Sequence, residues 1–461
     1  MQHIDSSGPN DLANPPSGRW YRELTRYHWL VLIIAALGWL FDTMDQQLFT
    51  LARAPAMVDL LAPSEGVKPD KGTAQFYGGV VTSIFLIGWA TGGLAFGILG
   101  DRIGRKKTMM LTILLYSLFT GLSALSVGIW DFAFYRFLTG LGVGGEFAVG
   151  VSLVAEAMPE RARPFALGLL QALSAIGNIT AGLIGISFSY LESAGVLGDY
   201  WRWMFVVGVL PAFVVVLIYR RLEEPERWQS AAASGSKQQL GSYSELFGDP
   251  RWRRNAIVGL VLASAGIVGL WGIGFFSPDL IRLALAESYK GQGLTEMQID
   301  ASLSFWASVT LILQNIGAFF GIYAFSHITH YTGRKPAFAV SFVLATISTG
   351  IFFGACNDLG DIFWMAPLMG FCQLALFGGY AIYFPELFPT RLRSTGISFC
   401  YNVGRYLAAV GPYTLGYLAK EIFYDKPEPM RYAGVAMCSV FLLGLLALPF
   451  APETKGKPLP E

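Results

Sequence analysis

Residues 78–99 read GGVVTSIFLIGWATGGLAFGIL, an unbroken run without a charged side chain. Crossing the hydrocarbon core of a bilayer takes about 20 apolar residues in helical form. Lipid offers the backbone no hydrogen-bond partners, so a spanning segment must be a helix or part of a closed barrel. Runs of this length recur along the whole chain. Spans are expected near 28–50, 76–99, 108–127, 130–156, 165–190, 201–219, 255–285, 303–329, 337–356, 361–384, 394–420 and 431–451. The expected fold class is an all-α membrane protein with twelve transmembrane helices. Composition agrees: 53% of residues are hydrophobic and 14% charged, against about 25% charged in soluble domains.

The remaining segments divide the chain. Residues 1–27 read as a polar N-terminal tail without a signal peptide, 28–219 as a first six-helix bundle, and 220–254 as a linker. Residues 255–451 form a second six-helix bundle and 452–461 a C-terminal tail. Lys and Arg crowd the short connections GDRIGRKK (100–107), PERARP (159–164), GRKP (333–336) and PTRLR (389–393), whereas 128–131, 191–200 and 357–361 carry none. By the positive-inside rule both termini and the linker face the cytoplasm, in a cell (inner or plasma) membrane. The net charge of +1 gives no basis for a nucleic-acid partner. The four cysteines lie in or beside apolar spans without metal-ligand spacing and are expected to be small buried hydrophobes.

The halves repeat each other. GRKK at 104–107 returns as GRKP at 333–336, and AEAMPERARP at 155–164 returns as PELFPTRLRS at 385–394. Two pseudo-symmetric six-helix bundles in parallel repeat, sharing a midplane cavity, are the layout of alternating-access transporters.

At these residues the chain resembles the major facilitator superfamily. GILGDRIGRKK is similar to that family's signature between its second and third helices, and YRFLTGLGVGGE to its fourth-helix Arg/Gly motif. YWRWMF, EEPERW and APETKG resemble the sugar-porter branch, whose seventh helix usually carries paired glutamines. Residues 259–280 contain none, which argues against a sugar. The acid pair in the first span and YNVGRYLAAVGP (401–412) look more like the symporters of aromatic acids, sialic acid and nicotinate. The resemblance implies a proton-coupled transporter that acts as a monomer.

Several polar side chains stand inside apolar runs, where a charge costs about 2.5–3.5 kcal/mol on insertion scales. Asp42 and Asp45, in AALGWLFDTMDQQLFTL (35–51), share one helix face. Arg136 in the fourth span lies at similar depth. These groups either form a permanent ion pair or include a carboxylate that takes up and releases a proton. Glu146 is a second candidate proton site, or a structural partner for the inner-loop arginines. The neighbouring GLGVGG run imitates a dinucleotide loop, but no strand precedes it.

Arg405 is expected near the midplane with no acid in its own segment. Its guanidinium fork suits a substrate carboxylate or an ion pair with Asp42 or Asp45. Arg136, Gln171, Asn178, Gln314, Asn315, Asn402 and Trp271 are further candidate substrate contacts, each of which also fits interhelical packing. The inner loops read as a charge latch: Asp101 and Arg105 with Glu156 and Arg161, repeated as Arg334, Glu386 and Arg391. His330 replaces Asp101 in the second copy.

His327 and His330 lack the further ligands that a metal needs, and no P-loop or nucleophile–base pair stands at depth. No cofactor, metal or enzymatic activity is expected. The leading function is proton-coupled symport of a small organic acid; the alternatives are a sugar or polyol symporter and a transporter-like membrane sensor. The linker is too short for a separate output domain.

Overall fold

The computed structural model describes residues 20–61, 71–193, 196–233, 240–290 and 296–461. The first half contains α1 (Arg26–Leu61), α2 (Lys71–Ile103), α3 (Arg105–Ser123), α4 (Ile129–Ala157), α5 (Arg163–Ser193), α6 (Tyr200–Val207) and α7 (Ala212–Arg221). Two short helices follow, α8 (Glu226–Ala233) and α9 (Tyr243–Gly248). The second half contains α10 (Pro250–Gly272), α11 (Ser277–Lys290), α12 (Glu296–Thr332), α13 (Arg334–Ala355) and α14 (Leu359–Leu387). It ends with α15 (Arg393–Ala408), α16 (Gly411–Tyr417), α17 (Pro429–Met437) and α18 (Val440–Ala447).

Among the described residues ten helical stretches are long and apolar enough to cross a membrane. The other two expected spans are helical as well, α3 and the α15–α16 run. Their hydropathy is lowered by polar residues that face protein rather than lipid: Thr108, Thr112, Ser117 and Thr120 on α3, Asn402 and Arg405 on α15, all buried. The sixth expected span breaks between α6 and α7 just before Pro211, and the seventh breaks at Ile273 between Gly272 and Gly274. Residues 1–19 of the expected N-terminal tail and 234–239 of the linker lie outside the described residues. The linker is not featureless, because α8 and α9 dock on the basic end. The Trp228 indole donates to the Asp101 carbonyl at 2.7 Å, and Arg391 pairs with Glu245 at 2.7 Å.

Small residues set the helix spacing. A Cβ on Gly88, Gly92, Gly140 or Gly144 would collide with backbone of the facing helix, so α2 and α4 touch main chain to main chain. Gly317, Gly321 and Gly370 do the same for α12 and α14. The halves meet along α2 with α15, where Gly93, Gly97 and Gly100 receive Asn402, Ser398 and Ser394, and along α5 with α12.

The repeat extends to a capping device. Gly104 and Gly333 open α3 and α13 with φ of 105° and 98°, values that favour glycine. Glu224 then accepts the N–H groups of Arg105 and Lys106 at 2.8 and 3.3 Å. Glu453 accepts those of Arg334 and Lys335, each at 3.0 Å. A carboxylate here satisfies orphan donors and meets the positive end of the helix dipole. Burial would raise the Glu453 carboxyl, but the backbone donors of Arg334, Lys335, Lys455 and Thr454 hold it below its ordinary 4.5.

A carboxyl held low stabilises the fold fully above its ordinary value and loses that contribution as pH falls through the folded one. Glu453→Gln is therefore expected to lower the thermal midpoint by roughly 1–3 °C at pH 7. The gap should close toward pH 3. A gap that stays constant with pH would remove the ionised cap.

Candidate functional site

The basic ends of the two halves are locked together. Asp101 pairs with Arg105 at 2.8 Å and accepts the N–H groups of Ser394 and Thr395 at 3.1 and 2.8 Å, at the start of α15. The Thr395 hydroxyl adds a bond of 2.7 Å. Arg105 also grips Glu156 at 2.8 Å and the Thr390 carbonyl at 2.8 Å. Glu156 in turn binds Arg393 of the second half at 2.7 Å. All four charged side chains are 0% exposed.

Two expected latch members are elsewhere. Arg161 pairs with Glu23 at 2.9 Å and Arg391 with Glu245 at 2.7 Å. The second-half cation that pairs with Glu156 is Arg393, which begins α15, whereas Arg391 sits in the preceding turn and pairs with Glu245 of α9. Arg334 and Glu386 pair at 2.6 Å but within the second half, and Thr454 rather than a first-half cation completes Glu386 at 2.6 Å. Where Asp101 would recur, the His330 ring lies 5.1 Å from that of Phe165 on α5. The latch is one-sided.

Away from the latch the halves stay in contact along α2 with α15 and α5 with α12 but leave space between these seams. A cavity of about 140 Å³ lies between them, lined by Arg405, Gln171, Asn178, Gln314, Asn315 and Trp271 among the expected contacts. Trp39, Thr43, Gln46, Gln47, Trp89, Ser174, Phe377 and Tyr401 also line it. It shares Gln47, Asn178, Leu311 and Asn315 with a wider vestibule of about 600 Å³, which extends past Pro55, Tyr190, Arg282 and Phe305 toward the end opposite the latch. The Asn178 amide donates to Asn315 Oδ1 at 2.9 Å across the halves. The Ser277 hydroxyl donates to Gln314 at 3.2 Å, and Gln171 Oε1 is buried without a partner.

Arg405 is the charged side chain among the lining residues of this cavity. Its guanidinium lies 3.9 Å from the Trp89 ring centroid and 4.4 Å from that of Tyr401. Nη1 donates to the Tyr401 carbonyl at 2.7 Å and to Asn402 Oδ1 at 3.0 Å. Nε is buried without a partner, and among the described residues no carboxylate pairs with the group. Aromatic faces hold a guanidinium in place while leaving its N–H edge free for an acceptor. Two expected substrate contacts do not reach the cavity. Asn402 stands behind Arg405 and donates to the Gly144 carbonyl at 3.3 Å. Arg136 lies 3.6 Å from Asp45, with Phe49 and Phe205 across its faces at 5.6 and 4.7 Å.

The acids occupy two settings. Asp45 is held by Arg136 and by the Thr120 hydroxyl at 2.7 Å. Asp42 receives one bond of 3.3 Å from Gln46, which lines the cavity, and its Oδ2 is buried without a partner. Glu146 is buried against Gly38 with a 3.4 Å bond from Thr112. Asp42 lies within electrostatic range of Glu146, Asp45 and Arg405.

The cavity residues that sequence reasoning did not single out differ in how readable they were. Gln46 and Gln47 follow Asp45 in the same apolar run and carry the same signal of a polar group at depth. Trp89, Phe377 and Tyr401 carry none, since aromatic residues are common on lipid and packing faces alike.

The family model of the Major Facilitator Superfamily matches residues 29–309. A putative metabolite transport protein of Haemophilus influenzae is 30% identical over 95% of this chain and 99% of its own. A putative niacin/nicotinamide transporter of Bacillus subtilis is 27% identical over 84% of this chain and 88% of its own. In fold, a proton:xylose symporter bound to 6-bromo-6-deoxy-D-glucose superimposes with a TM-score of 0.73 at 18% identity, covering 94% of this chain and 98% of that one. With the repeated latch motif and the cavity between two bundles, these matches show that the chain belongs to the major facilitator superfamily and is a multi-pass membrane transporter of that family.

Proposed function

We propose that the protein moves a small organic acid together with protons by alternating access, as a monomer in the cell membrane with both termini cytoplasmic. The single observation that carries this reading is Arg405: a buried guanidinium lining the cavity between the halves, paired with no carboxylate among the described residues. A substrate carboxylate accepts from its free edge. The amides of Gln171, Asn178, Gln314 and Asn315 meet further polar groups of the cargo, and Trp271 and Trp89 wall its apolar part. The likeness to a putative niacin/nicotinamide transporter supports a cargo of about that size.

Charge balance supports the proton. Asp45 and Arg136 neutralise each other, which leaves Asp42, Glu146 and an incoming anion around one guanidinium. Three negative charges against one positive are not tolerated at low dielectric, so at least one proton accompanies the anion, on Asp42 or Glu146. That proton also offsets the cost of moving an anion against the membrane potential. With the latch closed and the vestibule open, the conformation described faces away from the basic loops. Opening the latch and closing the vestibule completes the cycle.

Uptake into sealed vesicles tests this, using a panel of carboxylates, their amides and neutral sugars, with and without an imposed pH gradient. Gradient-driven accumulation of a carboxylate is expected, and amides or sugars should fail. Accumulation of a pentose would favour the second reading, a sugar symporter, which the amide-rich cavity and the fold of the xylose symporter also suit. Asp42→Asn and Glu146→Gln are expected to abolish accumulation by at least one of the pair, while substrate exchange at equal pH stays within about twofold. Full accumulation by both variants would remove the acids from coupling.

A further inference from the structure

Outside the transport pathway, α10 and α18 enclose a groove on the outer surface of the second half. Pro250, Arg254 and Val258 fall along one helical row of α10 and Arg253, Ile257 and Val261 along the next. Leu443, Leu446, Ala447 and Phe450 face them from α18 and the turn after it. The groove measures about 540 Å³ and opens sideways, with Ile257 50%, Leu446 68% and Phe450 60% exposed. Nothing polar interrupts its apolar length. From Arg253 to Val261 it descends roughly 12 Å at the helical rise of about 1.5 Å per residue, from the basic end into the hydrocarbon.

Its upper end is cationic. Arg253 and Arg254 are both exposed and, among the described residues, pair with no carboxylate. The nearest acid in sequence, Asp249, is committed to the helix start, where it accepts the Arg251 N–H at 2.7 Å. The Lys335 ammonium reaches the Pro449 carbonyl at 3.5 Å, beside the other wall. An apolar trough under two unpaired guanidiniums, at the level where the helices leave the membrane, matches a molecule with a phosphate above an acyl chain. Basic pockets between helices on the cytoplasmic side are a recognised form of anionic-lipid recognition.

We propose that this groove is a binding site for an anionic phospholipid, with the headgroup phosphate on Arg253 and Arg254 and one acyl chain between α10 and α18. The site takes a lipid from the leaflet on the latch side and does not depend on the cargo. Charge complementarity selects the headgroup, and the length and dryness of the groove select a chain-bearing ligand over a free phosphate.

Native mass spectrometry of the purified protein in mild detergent, titrated with phosphatidylglycerol, phosphatidylcholine or glycerol 3-phosphate, tests the assignment. The wild-type chain is expected to retain phosphatidylglycerol at a stoichiometry of about one at concentrations where phosphatidylcholine does not bind. R253Q/R254Q should weaken that retention about thirtyfold, and V261W/L446W should weaken it with both arginines in place. Thermal midpoints in phosphatidylcholine, which the arginine substitutions should leave unchanged, report folding. The proposal fails if the arginine variant retains phosphatidylglycerol as the wild type does, or if phosphatidylcholine binds equally well. It fails too if glycerol 3-phosphate alone occupies the site, or if a second copy of the chain covers the groove and displaces lipid.

Discussion

Arg405→Lys is expected to raise the apparent transport constant for a carboxylate substrate about a hundredfold or more, with the protein still folded. The guanidinium is held between Trp89 and Tyr401 at 3.9 and 4.4 Å, and Nη1 is spent on Tyr401 and Asn402. Its Nε is buried without a partner, and the side chain lines the cavity, so a carboxylate seated there would meet the donors that Nη1 leaves over. Hydrogen bonds to a charged group contribute about 1.5–3 kcal/mol each, so losing a two-bond fork costs on the order of 3–6 kcal/mol. An ammonium keeps the charge but supplies neither the fork nor the flat face that stacks on Trp89. Transport constants for the acid, measured in vesicles alongside those for its amide, check this. The acid should lose its advantage over the amide in the variant; an unchanged ratio would place the carboxylate elsewhere.

Asp101→Asn is expected to open the basic end. The carboxylate accepts three hydrogen bonds from Ser394 and Thr395 and pairs with Arg105, all across or within a fully buried cluster. An amide turns an NH₂ toward donors it cannot serve and, among the described residues, leaves Glu156 as the one carboxylate paired with Arg105. Removing one partner of a buried pair typically costs about 3–5 kcal/mol, and even 3 shifts a two-state equilibrium about a hundredfold. Spin labels on exposed Lys107 and Tyr331, one on each half, report the change as a distance distribution. Wild type should give one short distance and the variant a longer population. Superimposable distributions would show that the cluster does not hold the end shut.

Much of this architecture is legible in the sequence, for a physical reason: lipid demands about twenty apolar residues per crossing, and short inner loops concentrate charge. The repeat is visible because Arg105 and Glu156 recur as Arg334 and Glu386. It runs deeper than the motifs, since Glu224 and Glu453 cap equivalent helices. The choice between Arg391 and Arg393 is not legible, because both stand in PTRLR and only the turn into α15 decides which one faces Glu156.

Within the spans, polarity marks depth but not direction. Arg136 and Arg405 look alike in sequence, yet one meets Asp45 behind a phenylalanine wall and the other lines the cavity. The difference depends on which neighbouring helix presents an acid, a long-range fact that no local pattern records. The tryptophan under Arg405 is equally silent, because Trp89 sits in an apolar run that needs no function to explain it.

A calorimetric titration of the purified protein with a matched acid and amide, at two pH values in buffers of different ionisation enthalpy, tests the central claim most directly. The account predicts that the acid binds with net proton uptake, that the amide binds at least tenfold more weakly, and that Arg405→Lys removes the difference. Equal binding of acid and amide by the wild-type protein, with no proton exchanged, would contradict it.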